Sequence, residues 1–208
     1  MRLLGQQNPS LDRTEVPDGP PNGFEDCAWL FTSNLSNRNI ARLDLDEAAL
    51  LFKLVRTFEA PRVMEIGRLL GGSTILLAAA VGPGGKVTSV DIAPKNDDAL
   101  SRALEKLEMN GRAELVVSDA NLLEPPADGF DVVFIDGDHS YEGVRKDYEH
   151  WRGALRPGGY LVFHDAWPNR PAANVREGVE RLMREIDTGD SELRRVQGAG
   201  SLGVFQRI

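Results

Sequence analysis

The stretch Glu65-Ile66-Gly67-Arg68-Leu69-Leu70-Gly71-Gly72-Ser73-Thr74 sets the reading of the whole chain. A β-branched run, Arg62 to Ile66, leads into it, and an apolar helical pattern starts near Ser73. Glycines therefore stand where a strand must turn sharply into a helix, which lets a ligand approach the backbone at the helix N-terminus. A tight turn with no ligand would use the same residues. The spacing is not G-x-G-x-x-G, and Glu65, two residues before the first glycine, would repel a pyrophosphate while suiting a cationic ligand.

Outward from this loop, from Leu45 onward, short β-branched runs alternate with amphipathic helical patterns, as expected of a largely parallel sheet covered by helices. Asp44 or Asp46 can cap a first helix carrying Leu50, Leu51, Leu54 and Phe58 on one face, stopped by Pro61. Strands are predicted at 62–66, 86–91, 113–118, 130–136 and 160–164. The β-branched interior of the fourth places it at the centre of the sheet. Further helices are predicted from near Ser73, over 97–109 up to Asn110-Gly111, over 142–155 up to Pro157-Gly158-Gly159, and over 174–186. Leu193 to Gln197 and Leu202 to Gln206, joined through Gly198, Gly200 and Ser201, predict a closing hairpin. Residues 1–28, rich in Pro, Gly, Asn and Asp at their start, read as a flexible arm. Residues 29–208 read as one domain, with 29–60 a cover segment and helix.

Carboxylates recur where strands end. Asp91 ends the second strand, where a carboxylate can accept the ribose hydroxyls of an adenosine, and Asp119 ends the third, within reach of an adenine edge. With Glu65 they suit a ligand that carries a sulfonium, an amino group and a ribose, although each alone also fits a loop cap. Asp136, Asp138 and His139 follow the fourth strand; His164 and Asp165 follow the fifth. In an open α/β sheet those ends face the ligand crevice, so the groups converge on one side of it, a costly cluster without a cation.

Taken together, Glu65-Ile-Gly-x-x-x-Gly-Gly-Ser-Thr, Val90-Asp91 and Phe134-Ile-Asp-Gly-Asp-His-Ser-Tyr resemble the class I S-adenosylmethionine-dependent methyltransferases. Within that class the chain is most similar to the macrocin-type sugar O-methyltransferases and the cephalosporin-hydroxylase-like proteins, over Pro61 to Ala166. The resemblance implies an α/β, Rossmann-like fold, its seven-stranded and mostly parallel sheet ending in an antiparallel strand and carrying helices on both faces. It implies S-adenosylmethionine held by Glu65, Gly67, Gly71, Ser73, Asp91, Asp119 and Asp136.

In the related sugar and catechol O-methyltransferases an Asp ending strand four and an adjacent pair ending strand five hold magnesium. Carried over, these become Asp136, His164 and Asp165. Such a cation lowers the pKa of an acceptor hydroxyl and fixes its direction. His164 departs from the family's usual Asp, and an imidazole prefers manganese, iron or zinc to magnesium. A metal-free site in which His164 is a hydrogen-bonded strand-end residue, or itself a base, is the alternative. His139 falls where the related enzymes place their general base, with Asp138 in reserve; the competing reading has both merely capping the next helix.

Several nearby residues read less pointedly. Arg145 and Asp147 read as solvated charges, and Tyr148 and Trp151 as core. Trp167 either stacks on a substrate or folds onto the domain. Phe31, Thr32, Ser33 and Asn34 are candidates for covering the site.

The chain has 208 residues, enough for one α/β domain and one active site. A net charge of −8 with no basic stripe argues against nucleic acid or an anionic membrane as partner, and the small size with a short cover segment argues against a folded protein and for a small-molecule acceptor. A single cysteine, Cys27, permits no intrachain disulfide and fits a reducing, cytoplasmic setting; the start lacks the pattern of a secretory signal, and no apolar run is long enough to span a bilayer. A homodimer is compatible with the polar arm. The competing classes are a nicotinamide-dependent oxidoreductase, a metal-free methyltransferase and a non-catalytic subunit on the same sheet.

Overall fold

In a computed structural model, which describes residues 11, 15–31, 40–167 and 177–208, the β-branched runs pair into one seven-stranded sheet. The strands are β1 (Arg62–Ile66), β2 (Lys86–Asp91), β3 (Ala113–Val117), β4 (Phe130–Ile135), β5 (Leu155–Phe163), β6 (Leu193–Val196) and β7 (Gly203–Arg207). Their order is β3-β2-β1-β4-β5-β7-β6, with β7 antiparallel to both its neighbours and the other pairs parallel. The chain leaves β1 toward one edge and returns at β4 toward the other. The loops after these two strands therefore diverge and open a crevice at their carboxyl ends.

Alternation along the central strand divides the core. Val132 and Phe134 face a layer built from α1 (Leu45–Val55), α2 (Gly72–Val81) and α3 (Asp97–Lys106). Val133 and Ile135 face α4 (Tyr141–Trp151) and α5 (Glu177–Gly189). Helix α2 is buried along its whole length, which explains why its sequence, Gly72 to Val81, is apolar on every side.

Differences from the expected boundaries have local causes. Helix α1 ends at Val55, six residues before Pro61, because the chain already turns there; Phe58 lies beyond it and packs edge-on against Tyr160. Helix α4 ends at Trp151 and a single 3₁₀ turn, Arg152–Ala154, leads directly into β5. Pro157-Gly158-Gly159 is thus an irregularity inside the strand: pairing steps from Phe130 with Leu155 to Val132 with Tyr160. A side chain on Gly159 would lie 2.7 Å from the Asp131 carbonyl oxygen, so only glycine lets the two backbones approach this closely. Residues 174–176, expected in the last long helix, lie outside the described residues.

Residues 15–28 pack onto the domain, where composition suggested a detached arm. Val16 and Cys27 are buried in the α1–α3 layer, and the Gly19 amide donates to the Lys106 carbonyl. Apolar residues sparse among Pro and Gly give no periodic signal, yet they suffice to dock the segment. Among the described residues no helix is long and apolar enough to cross a membrane.

Candidate active site

A cavity of about 1080 Å³ opens at the crevice between the loops after β1 and β4. Its first half is made by the glycine loop. Gly67 adopts φ +88°, and a side chain there would lie 2.3 Å from the Asp136 carbonyl oxygen. Gly72 lies so close to the Ile40–Ala41 backbone that a side chain would meet the Ala41 nitrogen at 2.3 Å. The segment Ile40–Asp44 thereby closes over the start of α2, with Ile40, Arg42 and Asp44 lining the cavity. Phe31 instead packs against Phe24, and Thr32, Ser33 and Asn34 lie outside the described residues.

Asp91 closes this loop from β2. Its Oδ2 accepts from the Arg68 and Leu69 amides, both at 2.9 Å, and its Oδ1 from the Ala93 amide at 2.7 Å. The carboxylate faces the cavity, and Oδ1 keeps acceptor capacity for a ligand hydroxyl. Asp119 also lines the cavity; Asn121 and Lys146 hold its carboxylate and bring its pKa down to about 2. Ser73 and Gly67 line it too.

Two of the expected cofactor residues do not. Glu65 is fully buried beneath the loop, where its Oε2 accepts from Thr74 Oγ1 and Ser89 Oγ at 2.6 and 2.5 Å. Its Oε1 has no partner among the described residues, and burial raises its pKa. It braces strand β1 against α2 and β2 and presents no charge to the cavity. Gly71 packs its open side against Leu100. Arg68, from the same loop, turns inward to Asp97 and the Ser89 and Val116 carbonyls, tying β2, β3 and α3 together.

The second half of the cavity is a cluster of side chains. Asp136 Oδ1 meets His139 Nε2 at 3.2 Å and His164 Nδ1 at 2.9 Å. The other nitrogen of each ring faces a second carboxylate: His139 Nδ1 is 3.6 Å from Asp165 Oδ2, and His164 Nε2 is 3.3 Å from Glu47 Oε2. Asp165 adopts φ +52°, a left-handed backbone that turns its carboxylate to within 3.7 Å of His164 as well. Burial alone would lower the His164 pKa; the charge and hydrogen bond of Asp136, with Glu47 and Asp165, outweigh it and carry it up to about 10. His139 is raised by its bond to Asp136. Burial would raise the Asp136 carboxyl, but the two histidines hold it below its ordinary value. Asp136, His139 and His164 each offer a ligand atom, all within 4.8 Å of one another.

The sequence and the fold match known proteins. A methyltransferase domain family matches residues 64–166. A catechol O-methyltransferase of Mycobacterium tuberculosis is 35% identical over 157 residues, covering 74% of this chain and 68% of that protein. A catechol O-methyltransferase of Niastella koreensis is 26% identical over 67% of this chain and 66% of its own length. The chain thus spans about two thirds of these curated relatives. Among solved structures, the O-methyltransferase TomG of Streptomyces achromogenes, in complex with S-adenosylmethionine, shares the fold with a TM-score of 0.65 at 22% identity over 91% of both chains. The chain belongs to the class I S-adenosylmethionine-dependent O-methyltransferases.

In this methyltransferase several side chains depart from their sequence reading. Ser140, not His139, caps α4, accepting from the Gly143 amide. Asp138 lies over the same helix start: its Oδ1 accepts from the Ser140 amide at 2.8 Å, and a side chain on Gly143 would meet its Oδ2 at 2.3 Å. His139 is left facing the cluster. Asp147, read as a solvated charge, is buried, accepts from Asn121 Nδ2 at 2.6 Å and lines the cavity; burial raises its pKa. Arg145 is exposed and Trp151 is core, as expected. Trp167 turns away from the cavity and lies under Arg195, whose guanidinium sits 4.2 Å from the ring centre. Glu47 and Ser201 line the cavity and were missed altogether. The only sequence signal at Glu47 is its place three residues after Asp44, the reciprocal cap of a helix start.

Proposed function

We propose that this methyltransferase acts on a hydroxyl of a small molecule, with a divalent cation held where the two histidines and Asp136 converge. One observation supports it most directly: each ring points one nitrogen at Asp136 and the other at its own carboxylate, Asp165 for His139 and Glu47 for His164. Histidines that ligate metals ordinarily donate their second N–H to a carboxylate in this way. The donor set fits a cation. Asp136, His139 and His164 would hold it, His139 taking the place that the family resemblance gave to Asp165, which lies beside them. Two imidazoles suit manganese, iron, cobalt or zinc better than magnesium.

The cation supplies Lewis-acid activation of the acceptor hydroxyl. This chain's own residues do the rest. Gly67, Ser73, Asp91 and Asp119 would seat S-adenosylmethionine at the glycine-loop end, while Glu65 and Gly71 shape that loop from below. Asp136, which lines the cavity between the two ends, would lie beside both cofactor and acceptor and help to orient the attacking oxygen toward the methyl group. The many carboxylates around the cavity favour a neutral acceptor over an anionic one. Aromatic diols, as in the curated relatives' names, and sugar hydroxyls are the acceptors to test first.

A second reading has its own support. Both nitrogens of His164 are already satisfied by carboxylates, so its imidazolium can itself neutralise the cluster while His139 removes the acceptor proton. Calorimetry of metal-stripped protein with Mn²⁺ and Mg²⁺, joined to methyl transfer from labelled S-adenosylmethionine with and without chelator, separates the two. The cation reading expects tighter Mn²⁺ than Mg²⁺ binding, loss of transfer in chelator and recovery with Mn²⁺. Transfer that persists in chelator and disappears in His139→Gln would overturn it in favour of the second.

A further inference from the structure

Glu47 is an acid that a helix cap alone does not explain. It is 1% exposed, and both its oxygens are engaged. Oε1 accepts from the Ser201 amide at 2.6 Å and from Ser201 Oγ at 2.7 Å. Oε2 accepts from the Asp44 amide at 2.7 Å and faces His164 Nε2 at 3.3 Å. A cap needs only the Asp44 contact and tolerates full exposure. A buried carboxylate is costly unless every lone pair is met, and the fold meets these from two distant regions, the start of α1 and the tip of the β6–β7 hairpin.

The tip is shaped around this acid. Gly200 has φ +53°, and a side chain there would lie 2.6 Å from Glu47 Cγ and Oε1. The Ser201 carbonyl in turn accepts from the Ala166 and Trp167 amides at 2.9 and 3.2 Å, immediately after His164 and Asp165. Ser201 therefore grips Glu47 with its donors and the strand end that carries His164 with its acceptor.

We propose that Glu47 is the positioning residue for His164. Held by Ser201 and Asp44, its carboxylate takes the Nε2–H of the ring and so aims Nδ1 at Asp136 and the cavity. An imidazole can flip about its Cβ–Cγ bond and exchange which edge it presents; Glu47 removes that freedom. This proposal rests on the cation reading above for only one of its two readouts.

The experiment compares wild-type protein with Glu47→Gln and Ser201→Ala, all metal-stripped. In aromatic ¹³C–¹H spectra the wild-type His164 ring gives one sharp set of signals; in Glu47→Gln they broaden or double, and in Ser201→Ala they do so less. Calorimetry with Mn²⁺ reads the second consequence, about a 10–100-fold loss of affinity in Glu47→Gln with S-adenosylmethionine affinity unchanged. Unaltered His164 signals in the folded variants would overturn the proposal and reduce Glu47 to a cap. Should Glu47→Gln not fold, Ser201→Ala decides by the same signals. Should wild-type protein bind no Mn²⁺, the cation reading fails while the ring signals still decide the role of Glu47.

Discussion

The two halves of the cavity are built on opposite plans. At the glycine loop the groups that shape the site are backbone amides, and Asp91 is held by three of them from residues 68, 69 and 93. At the ends of β4 and β5 the site is side chain against side chain, with carboxylates and imidazoles from residues 47, 136, 139, 164 and 165 in mutual contact. The first half fixes its geometry largely with neutral backbone dipoles around separate carboxylates, Asp91 and Asp119. The second fixes it by charge balance: even with both imidazoles protonated, Glu47, Asp136 and Asp165 leave the cluster short of positive charge. The halves meet where the Asp136 amide donates to the Ile66 carbonyl and the Asp136 carbonyl occupies the space a side chain on Gly67 would need.

If this division is real, damage to the halves must separate. The largest effect is expected for Asp136→Ala, which removes the acceptor shared by both rings. Methyl transfer should fall by roughly 10²–10³-fold, as for loss of a central electrostatic group, while S-adenosylmethionine binding measured by calorimetry largely persists. Equal loss of both would collapse the distinction.

Next comes pH. The His164 pKa is raised above its ordinary 6.5 to about 10, so its stabilising contribution is complete below about pH 6.5 and is lost as pH rises through about 10. Denaturant unfolding of metal-stripped protein should show stability falling over that window, by up to about 1.4 kcal/mol per pH unit for the one proton released. His164→Gln should flatten the slope. The same protons compete with a cation, so Mn²⁺ affinity should climb across the range where stability falls. A slope unchanged by His164→Gln would place the titrating group elsewhere.

A smaller and opposite effect is expected for Asp91→Ala. S-adenosylmethionine affinity should drop by about tenfold, equivalent to about one lost hydrogen bond to a charged acceptor, with Mn²⁺ affinity untouched. The smallest belongs to Arg195→Ala, outside both halves. Loss of its contact with Trp167 should lower stability by about 0.5–1 kcal/mol in thermal melts and leave both ligands' affinities alone.

The same contrast explains what could be read from the sequence. Strands β1 and β2 fall at their predicted residues, and the glycine loop lies where its spacing placed it, because each depends on residues adjacent in the chain. The start of β5 was misplaced because Pro157-Gly158-Gly159 ordinarily ends an element, and only the backbone of Asp131, a partner remote in sequence, makes it a bulge. Asp136, His164 and Asp165 stand at strand ends and were legible as a cluster. Glu47 was not, since a Glu in the first turn of a helix is ordinary until Ser201 and His164 are seen against it. Asp147 was misread for a related reason: helical periodicity marks apolar faces and cannot report that Asn121 waits to receive a buried acid.

The strand order also dictates a sequence of events during folding. Strand β6 cannot join the sheet before β7, because β7 lies between it and β5. The Glu47–Ser201 contact spans 154 positions and closes through that same hairpin. Loop-closure entropy makes such a long-range contact slow to form, whereas β1, α2 and β2 are neighbours in the chain and can pair early. The half of the cavity assigned to the cofactor is thus expected to assemble first. The grip of Ser201 on Glu47 closes only when the hairpin docks, so the His164 ring is expected to be fixed in a late step, after β4 and β5 have brought Asp136 and His164 together.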